Sequence, residues 1–215
     1  MSLLLDGCLI NDTALPDGST VSHAIDLAKA RLSGSGRLIL GIYCNGAEVE
    51  PSRLRGILSA PYANYSKVEL ISGSPYSAVI EALNQARAVF AESFSTIKQV
   101  SAWLSSGDVP GAMGGLSQCV EAWSNMHEAV VRGGALVGVE FDRLVLGGRH
   151  VLDWLGDLNQ RLRDIRDAIQ SRDHVTLADV IRYELDEALQ GWEIMLDGFI
   201  RHIEKLAADS ESAAG

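Results

Sequence analysis

Residues 68–75 read Val68-Glu69-Leu70-Ile71-Ser72-Gly73-Ser74-Pro75. Before this stretch apolar residues come in short runs or alternate; after it they return every seven residues. Side chains share a face every second residue in a strand and every three to four in a helix, so the change marks a switch from sheet to paired helices. Ser72-Gly73-Ser74-Pro75 stops both patterns, which places a domain boundary there and divides the chain into 1–72 and 73–215. The connector is short, so two halves in contact are expected.

Upstream, Leu3-Leu4-Leu5 and Cys8-Leu9-Ile10 flank Asp6-Gly7, a pair suited to a type I′ hairpin turn. Leu15-Pro16-Asp17-Gly18 is a loop, after which Ser19 or Thr20 caps a helix striped by Val21, Ile25, Ala28 and Leu32. Ser33-Gly34-Ser35-Gly36 stops that helix. Leu38 to Tyr43 reads as a buried strand, which Asn45-Gly46 turns into a second hairpin through Val49. Pro51 to Ala60 is a short helical turn, and Val68 to Ile71 a last, alternating strand.

This order of hairpin, helix, hairpin, helical turn and strand resembles the β-grasp, or ubiquitin-like, family over about residues 1–72. The resemblance implies one helix lying across a mixed sheet. Sulfur carriers and protein modifiers of that family act through a free C-terminal Gly-Gly, whereas here the last strand runs on through Ile71-Ser72-Gly73. What the resemblance then implies is the adaptor use of the fold, in which a sheet face or edge docks a partner.

Downstream, Ser74-Pro75 opens a helix in which Leu83, Phe90, Ile97 and Leu104 recur every seven residues, with Val79, Ala86 and Phe94 beside them. Ser105-Ser106-Gly107 ends it and Asp108 caps the next, striped by Val109, Met113, Leu116, Val120, Trp123, His127 and Val130. Gly133-Gly134 is expected to terminate that second helix, and Ala135 to Gly148 to be partly loop. A third helix carries Val151, Leu155, Leu158, Leu162, Ile165 and Ile169. Thr176 with Asp179 suggests a capping-box variant opening a fourth, striped from Leu177 and Ile181 through Leu185 and Trp192 to Leu206. Ala207 to Gly215 is expected to fray. The predicted architecture is α+β: a β-grasp-like domain followed by an antiparallel four-helix bundle.

The chain has 28 acidic and 18 basic residues among 215, a net charge of −10. Residues 1–72 carry −1 of this and residues 73–215 carry −9. Affinity for phosphate backbones or anionic lipid rests on clustered Lys and Arg, so nucleic acid and membrane surfaces are disfavoured partners. The 47% apolar content is that of a globular chain. Three cysteines are too few for a disulfide framework. With neither a basic leader pattern nor an apolar run near the ~20 residues that span a bilayer, a cytoplasmic protein is expected.

No metal or cofactor motif is legible. None of His23, His127, His150, His174 and His202 follows a Glu by three residues, as di-metal helical bundles require, and no phosphate loop, dinucleotide fingerprint or serine elbow occurs. His127 lies on an apolar stripe, where a hydrogen-bonded core or interface histidine is expected over a ligand contact. Glu184 is expected to pair with an arginine such as Arg87 or Arg149, and Cys8 and Cys44 to be inert, partly buried thiols. His150 and Asp153 are expected to lie on a solvated face.

Gly111, Gly115, Ala122 and Ala129 form a small-residue strip that invites close backbone approach, within the chain or across a dimer. Trp103 and Trp154 fall just off the stripes, leaving apolar surface for self-association. The candidate ligand or interface residues are therefore His127, Glu184, Gly111, Gly115, Trp103 and Trp154, and no catalytic residue is assigned. The expected function is a non-enzymatic adaptor with an unidentified protein partner. Over residues 74–208 the helical pattern resembles secretion or flagellar export chaperones, which implies an acidic groove for an amphipathic partner helix. The alternative is an enzyme or small-ligand binder with a pocket at the seam between sheet and bundle, using His127, Glu184 and a Trp.

Overall fold

The computed structural model describes residues 1–10, 15–16, 18–171, 173–181 and 185–214. The fold is mixed α+β, a small N-terminal sheet followed by several helices. Two compact units result, Met1–Ala78 and Val79–Gly215.

In the first unit β1 (Ser2–Leu5) and β2 (Cys8–Ile10) form a hairpin. Its turn residues Asp6 and Gly7 have φ of 51° and 77°, the paired left-handed conformation of a type I′ turn. Asn45 and Gly46, at 53° and 85°, join β3 (Leu38–Cys44) to β4 (Ala47–Glu48) in the same way. The last strand, β5 (Lys67–Gly73), runs parallel to β1 and antiparallel to β3, giving the order β2-β1-β5-β3-β4.

Helix α1 (Val21–Leu32) buries Val21, Ala24, Ile25 and Ala28 in a core shared with Leu3, Ile10, Cys44, Val68 and Leu70 of the strands. The Thr20 N–H, one of the donors a helix start leaves unpaired, donates to Nδ1 of His23 at 3.0 Å. Helix α2 (Pro51–Ser59) and a 3-10 turn at Tyr62–Asn64 lead into β5.

One reading is corrected here. Leu38 to Tyr43 is not a uniformly buried strand, because Leu38 and Leu40 are exposed. Side chains alternate between the two faces of a strand, so consecutive apolar residues cannot all face α1, and the register slips between Ile39 and Gly41.

The end of β5 is clasped from two sides. The Asp6 carboxylate accepts from Ser72 N at 2.7 Å and Ser72 Oγ at 2.6 Å, while Arg37 donates to Ser72 O at 2.7 Å and to Asp6 at 3.2 Å. The Ser72 bonds, with Arg37 adding its charge, hold the Asp6 carboxyl below the usual carboxylate range.

The second unit contains most of α3 (Pro75–Ser106), and then α4 (Val109–Leu136), α5 (Val151–Gln170), α6 (His174–Asp179) and α7 (Leu185–Ala214). Between α3 and α4, Gly107 takes φ 83° and Asp108 accepts from Gly111 N at 3.0 Å, a glycine stop followed by an aspartate cap. No described helix is long and apolar enough to cross a membrane.

Four local readings change. Gly133-Gly134 does not end α4, which continues to Leu136. A Cβ on Gly133 would lie 2.8 Å from Val79 Cγ1, and one on Gly134 would meet Phe141 and Phe199, so the pair serves close packing. Beyond it, β6 (Val145–Leu146) and β7 (Arg149–His150) form a hairpin around Gly147-Gly148 where loop was expected. The cap of α6 is Asp173, which accepts from Thr176 N at 2.9 Å and from its hydroxyl at 2.8 Å, in place of a Thr176–Asp179 box. The fourth helix is described as α6 and α7 on either side of residues 182–184, which lie outside the described residues, and α7 runs on to Ala214 through the segment expected to fray.

Candidate functional site

The buried face of α4 is centred on Ala112, Leu116, Cys119, Ala122, Trp123, Met126 and Val130. It is rotated from the stripe of large apolar residues, and Met113, Val120 and His127 are half-buried flanks. Small residues set this rotation, because they let α3 come close. A Cβ on Gly115 would sit 2.8 Å from Val100 Cγ2 and 2.9 Å from Trp103 Cζ3. Gly115 and the half-buried Trp103 thus meet within one helix pair. Gly111 has a different reason to lack a side chain: its Cβ would press on the Asp108 carboxylate that caps it.

Where α3 and α4 lie together, a buried polar relay joins them. Trp123 Nε1 donates to Ser93 Oγ at 2.8 Å, Ser93 Oγ donates to Phe90 O at 2.6 Å, and Cys119 Sγ donates to Ser93 O at 3.7 Å. Trp123 is 0% and Ser93 4% exposed, so each bond satisfies a group that would be costly to leave alone. Burial pushes the Cys119 thiol up to about 11, and it also raises that of Cys44. Both thiols are protonated at neutral pH and are poor nucleophiles; Cys8, expected to be partly buried, is exposed on β2.

Above this relay is a cavity of about 300 Å³ between the two helices. Ser93, Cys119 and Ala122 are its buried lining, and Val89, half exposed, is at its lip. Glu92, Thr96, Gln118, Glu121 and Asn125 complete it.

His127 is on the other flank of α4. Its Nε2 is hydrogen-bonded to the Asn159 amide of α5 at 3.1 Å, and its ring centroid is 6.4 Å from that of Trp192 on α7. Burial holds His127 below the usual imidazole range, with Glu128 pulling the other way. The indole N–H of Trp192, itself 1% exposed, has no acceptor among the described residues. Glu184 lies outside the described residues. The two arginines considered for it pair elsewhere, Arg87 with Asp197 at 2.6 Å and Arg149 with Asp157 at 3.3 Å.

Trp154 is half-buried and fastens the β6–β7 hairpin. Its Nε1 donates to Leu146 O at 3.1 Å, Arg149 stacks 4.8 Å above its ring, and a Cβ on Gly191 of α7 would lie 2.5 Å from it. Among the described residues no three His, Cys, Asp or Glu side chains gather as a metal site would require.

The outer face of the N-terminal sheet is a second candidate surface. Leu9 is 69%, Leu40 49%, Leu38 41% and Ile71 38% exposed. Register sets Leu4 beside Leu9 on one side and Glu69 on the other, while Ile71 lies opposite Gly41. Sequence reasoning missed this face by taking β3 as buried throughout; successive side chains of a strand alternate faces, so the apolar run Leu38-Ile39-Leu40 had to put part of itself on the outer face, and that was the available signal. It also missed Ser93, which stands in the second seven-residue series Val79-Ala86-Ser93-Val100, where a polar residue among apolar ones marks a buried bond.

Residues 81–195 match the model of a family described as Domain of unknown function (DUF8042). Comparisons with curated proteins and with solved structures gave no match. The matched span takes in the Ser93–Trp123 relay, the cavity beside it and the His127–Asn159 pair. As that span is just over half of the chain, the protein belongs to the DUF8042 family.

Proposed function

We propose that the protein is a non-enzymatic interaction module of the cytoplasm, built from a β-grasp-like domain and an antiparallel four-helix bundle. The strand order β2-β1-β5-β3-β4, with α1 packed on one face, supports the first half of this reading. Four long amphipathic helices, α3, α4, α5 and α7, support the second.

The observation that carries the function is the sheet face. Leu9, Leu38, Leu40 and Ile71 are exposed together on the face turned away from α1, and contiguous exposed apolar surface marks sites of protein contact. Leaving a leucine side chain in water forgoes ~1.5–3 kcal/mol of burial, which a docked partner recovers. The cysteines in the cores are unreactive, and His127 and Ser93 are hydrogen-bonded to Asn159 and Trp123, which favours contact over chemistry.

The test is photo-crosslinking in the native cell from a reactive amino acid placed at Leu9 or Ile71, with Ser117 on the exposed side of α4 as control. The expected result is one discrete crosslinked polypeptide from the sheet positions that is absent from the control and lost on Ile71→Arg. Crosslinking no stronger than the control overturns the reading.

A further inference from the structure

We propose that the cavity between α3 and α4 receives a basic side chain, the guanidinium or ammonium of an Arg or Lys, carried by a partner polypeptide. This surface is separate from the sheet face, and it rests on the reading above only in taking a polypeptide as the source of the cation.

Three observations converge. First, the lining is amphipathic in the manner a long basic side chain demands. Val89, Cys119 and Ala122 offer apolar surface to a methylene stem, and Glu92 and Glu121 offer carboxylates to its charged end. Thr96, Gln118 and Asn125 supply neutral hydrogen-bonding groups around them.

Second, the charge of this cavity is uncompensated. Neither Glu92 nor Glu121 forms an ion pair with a described residue, whereas Glu128 and Glu140 on the same unit each have an arginine. No Lys or Arg lines the cavity. The chain beyond residue 72 carries −9, so the surrounding potential also favours a cation.

Third, the side chains of the floor have no hydrogen-bond donor to offer. Ser93 Oγ is committed to Phe90 O and Trp123 Nε1, and Cys119 Sγ to Ser93 O. A ligand must therefore be recognised at the rim, by charge, with its apolar part directed inward. At about 300 Å³ the cavity is at the lower limit for small-molecule sites and suits a single side chain.

The experiment uses the full chain labelled with nitrogen-15 and follows the Trp123 indole N–H, which is bonded to the cavity's Ser93. Two capped pentapeptides are titrated, Ala-Ala-Arg-Ala-Ala and the same sequence with neutral citrulline in place of Arg, together with agmatine, a free organic cation bearing a guanidinium and an ammonium. The expected result is a saturable shift at Trp123 with the Arg peptide, none with citrulline, and weaker binding by agmatine. Glu92→Gln with Glu121→Gln should lower the affinity roughly tenfold, since two exposed charge pairs are removed, with an unchanged thermal midpoint.

Equal shifts from the Arg and citrulline peptides overturn the proposal, as does full affinity in the double variant. Agmatine binding as tightly as the peptide overturns the polypeptide source and identifies a site for free organic cations. These outcomes are independent of crosslinking at Leu9 and Ile71, so a failure here leaves the interaction reading standing and the reverse also holds.

Discussion

Ser93→Ala isolates the buried bond between α3 and α4. The substitution removes the acceptor of Trp123 Nε1, a 2.8 Å bond between a residue 0% and a residue 4% exposed. The indole N–H, on a fully buried residue, loses its acceptor, at a cost of ~1–3 kcal/mol for an unsatisfied buried donor. The Phe90 carbonyl loses the serine hydroxyl but keeps its helical partner, so it adds little. The sum is about 2 kcal/mol, which at a urea dependence of ~1–3 kcal/mol per molar moves the midpoint down by roughly 1 M. Far-ultraviolet circular dichroism in urea measures that shift, because the helices dominate the signal. Exchange of the Trp123 indole proton provides a local readout and should accelerate. Trp123→Phe completes a double-mutant cycle, with a coupling energy of at least ~0.5 kcal/mol expected for a direct bond. A Ser93→Ala midpoint within about 0.2 M of the parent, with indole exchange unchanged, would refute the argument.

Adjacent glycines of α4 should respond with opposite signs. Gly114 has open space where a Cβ would go, so Gly114→Ala gains up to ~1 kcal/mol from helix propensity, whereas Gly115→Ala meets Val100 and Trp103 below 3.0 Å and costs ~1–3 kcal/mol; thermal unfolding of both variants checks the order. Asp6 should make the first unit acid-sensitive. Its folded pKa is lowered, so its contribution is complete above the unfolded value near 4 and disappears as pH falls through the folded value; stability of the parent relative to Asp6→Asn, measured by urea unfolding at stepped pH, should decline only in that acidic window.

The parts of the fold that were legible in the sequence are those dictated by one residue's own backbone. Asp6-Gly7 and Asn45-Gly46 announce hairpins because both positions of a type I′ turn need positive φ, and Gly107-Asp108 announces a stop and a cap for equally local reasons. Gly133-Gly134 contains the same residue type and misleads, since its role is set by Val79, Phe141 and Phe199, which no local pattern connects to it. The face of α4 was misjudged for a related reason. Ranking residues by hydrophobicity favours Met113 and Val120, while packing favours Ala112, Cys119 and Ala122, whose smallness brings α3 near. Of the candidate site residues, His127 was expected to be a hydrogen-bonded histidine on an apolar face, but its partner Asn159 lies 32 positions away and had no sequence signal.

The parallel pairing of β1 with β5 has a consequence for how the chain is made. Ser2 is registered with Lys67 and Leu5 with Leu70, so the first strand of this unit must wait for nearly the last residues of the unit. Until then β1 has only its hairpin partner β2, and the central position of the sheet is vacant. The sheet cannot complete before β5 has been made, and a nascent chain halted short of Lys67 would present Leu3 and Leu5 unpaired on one side, a natural target for chaperones.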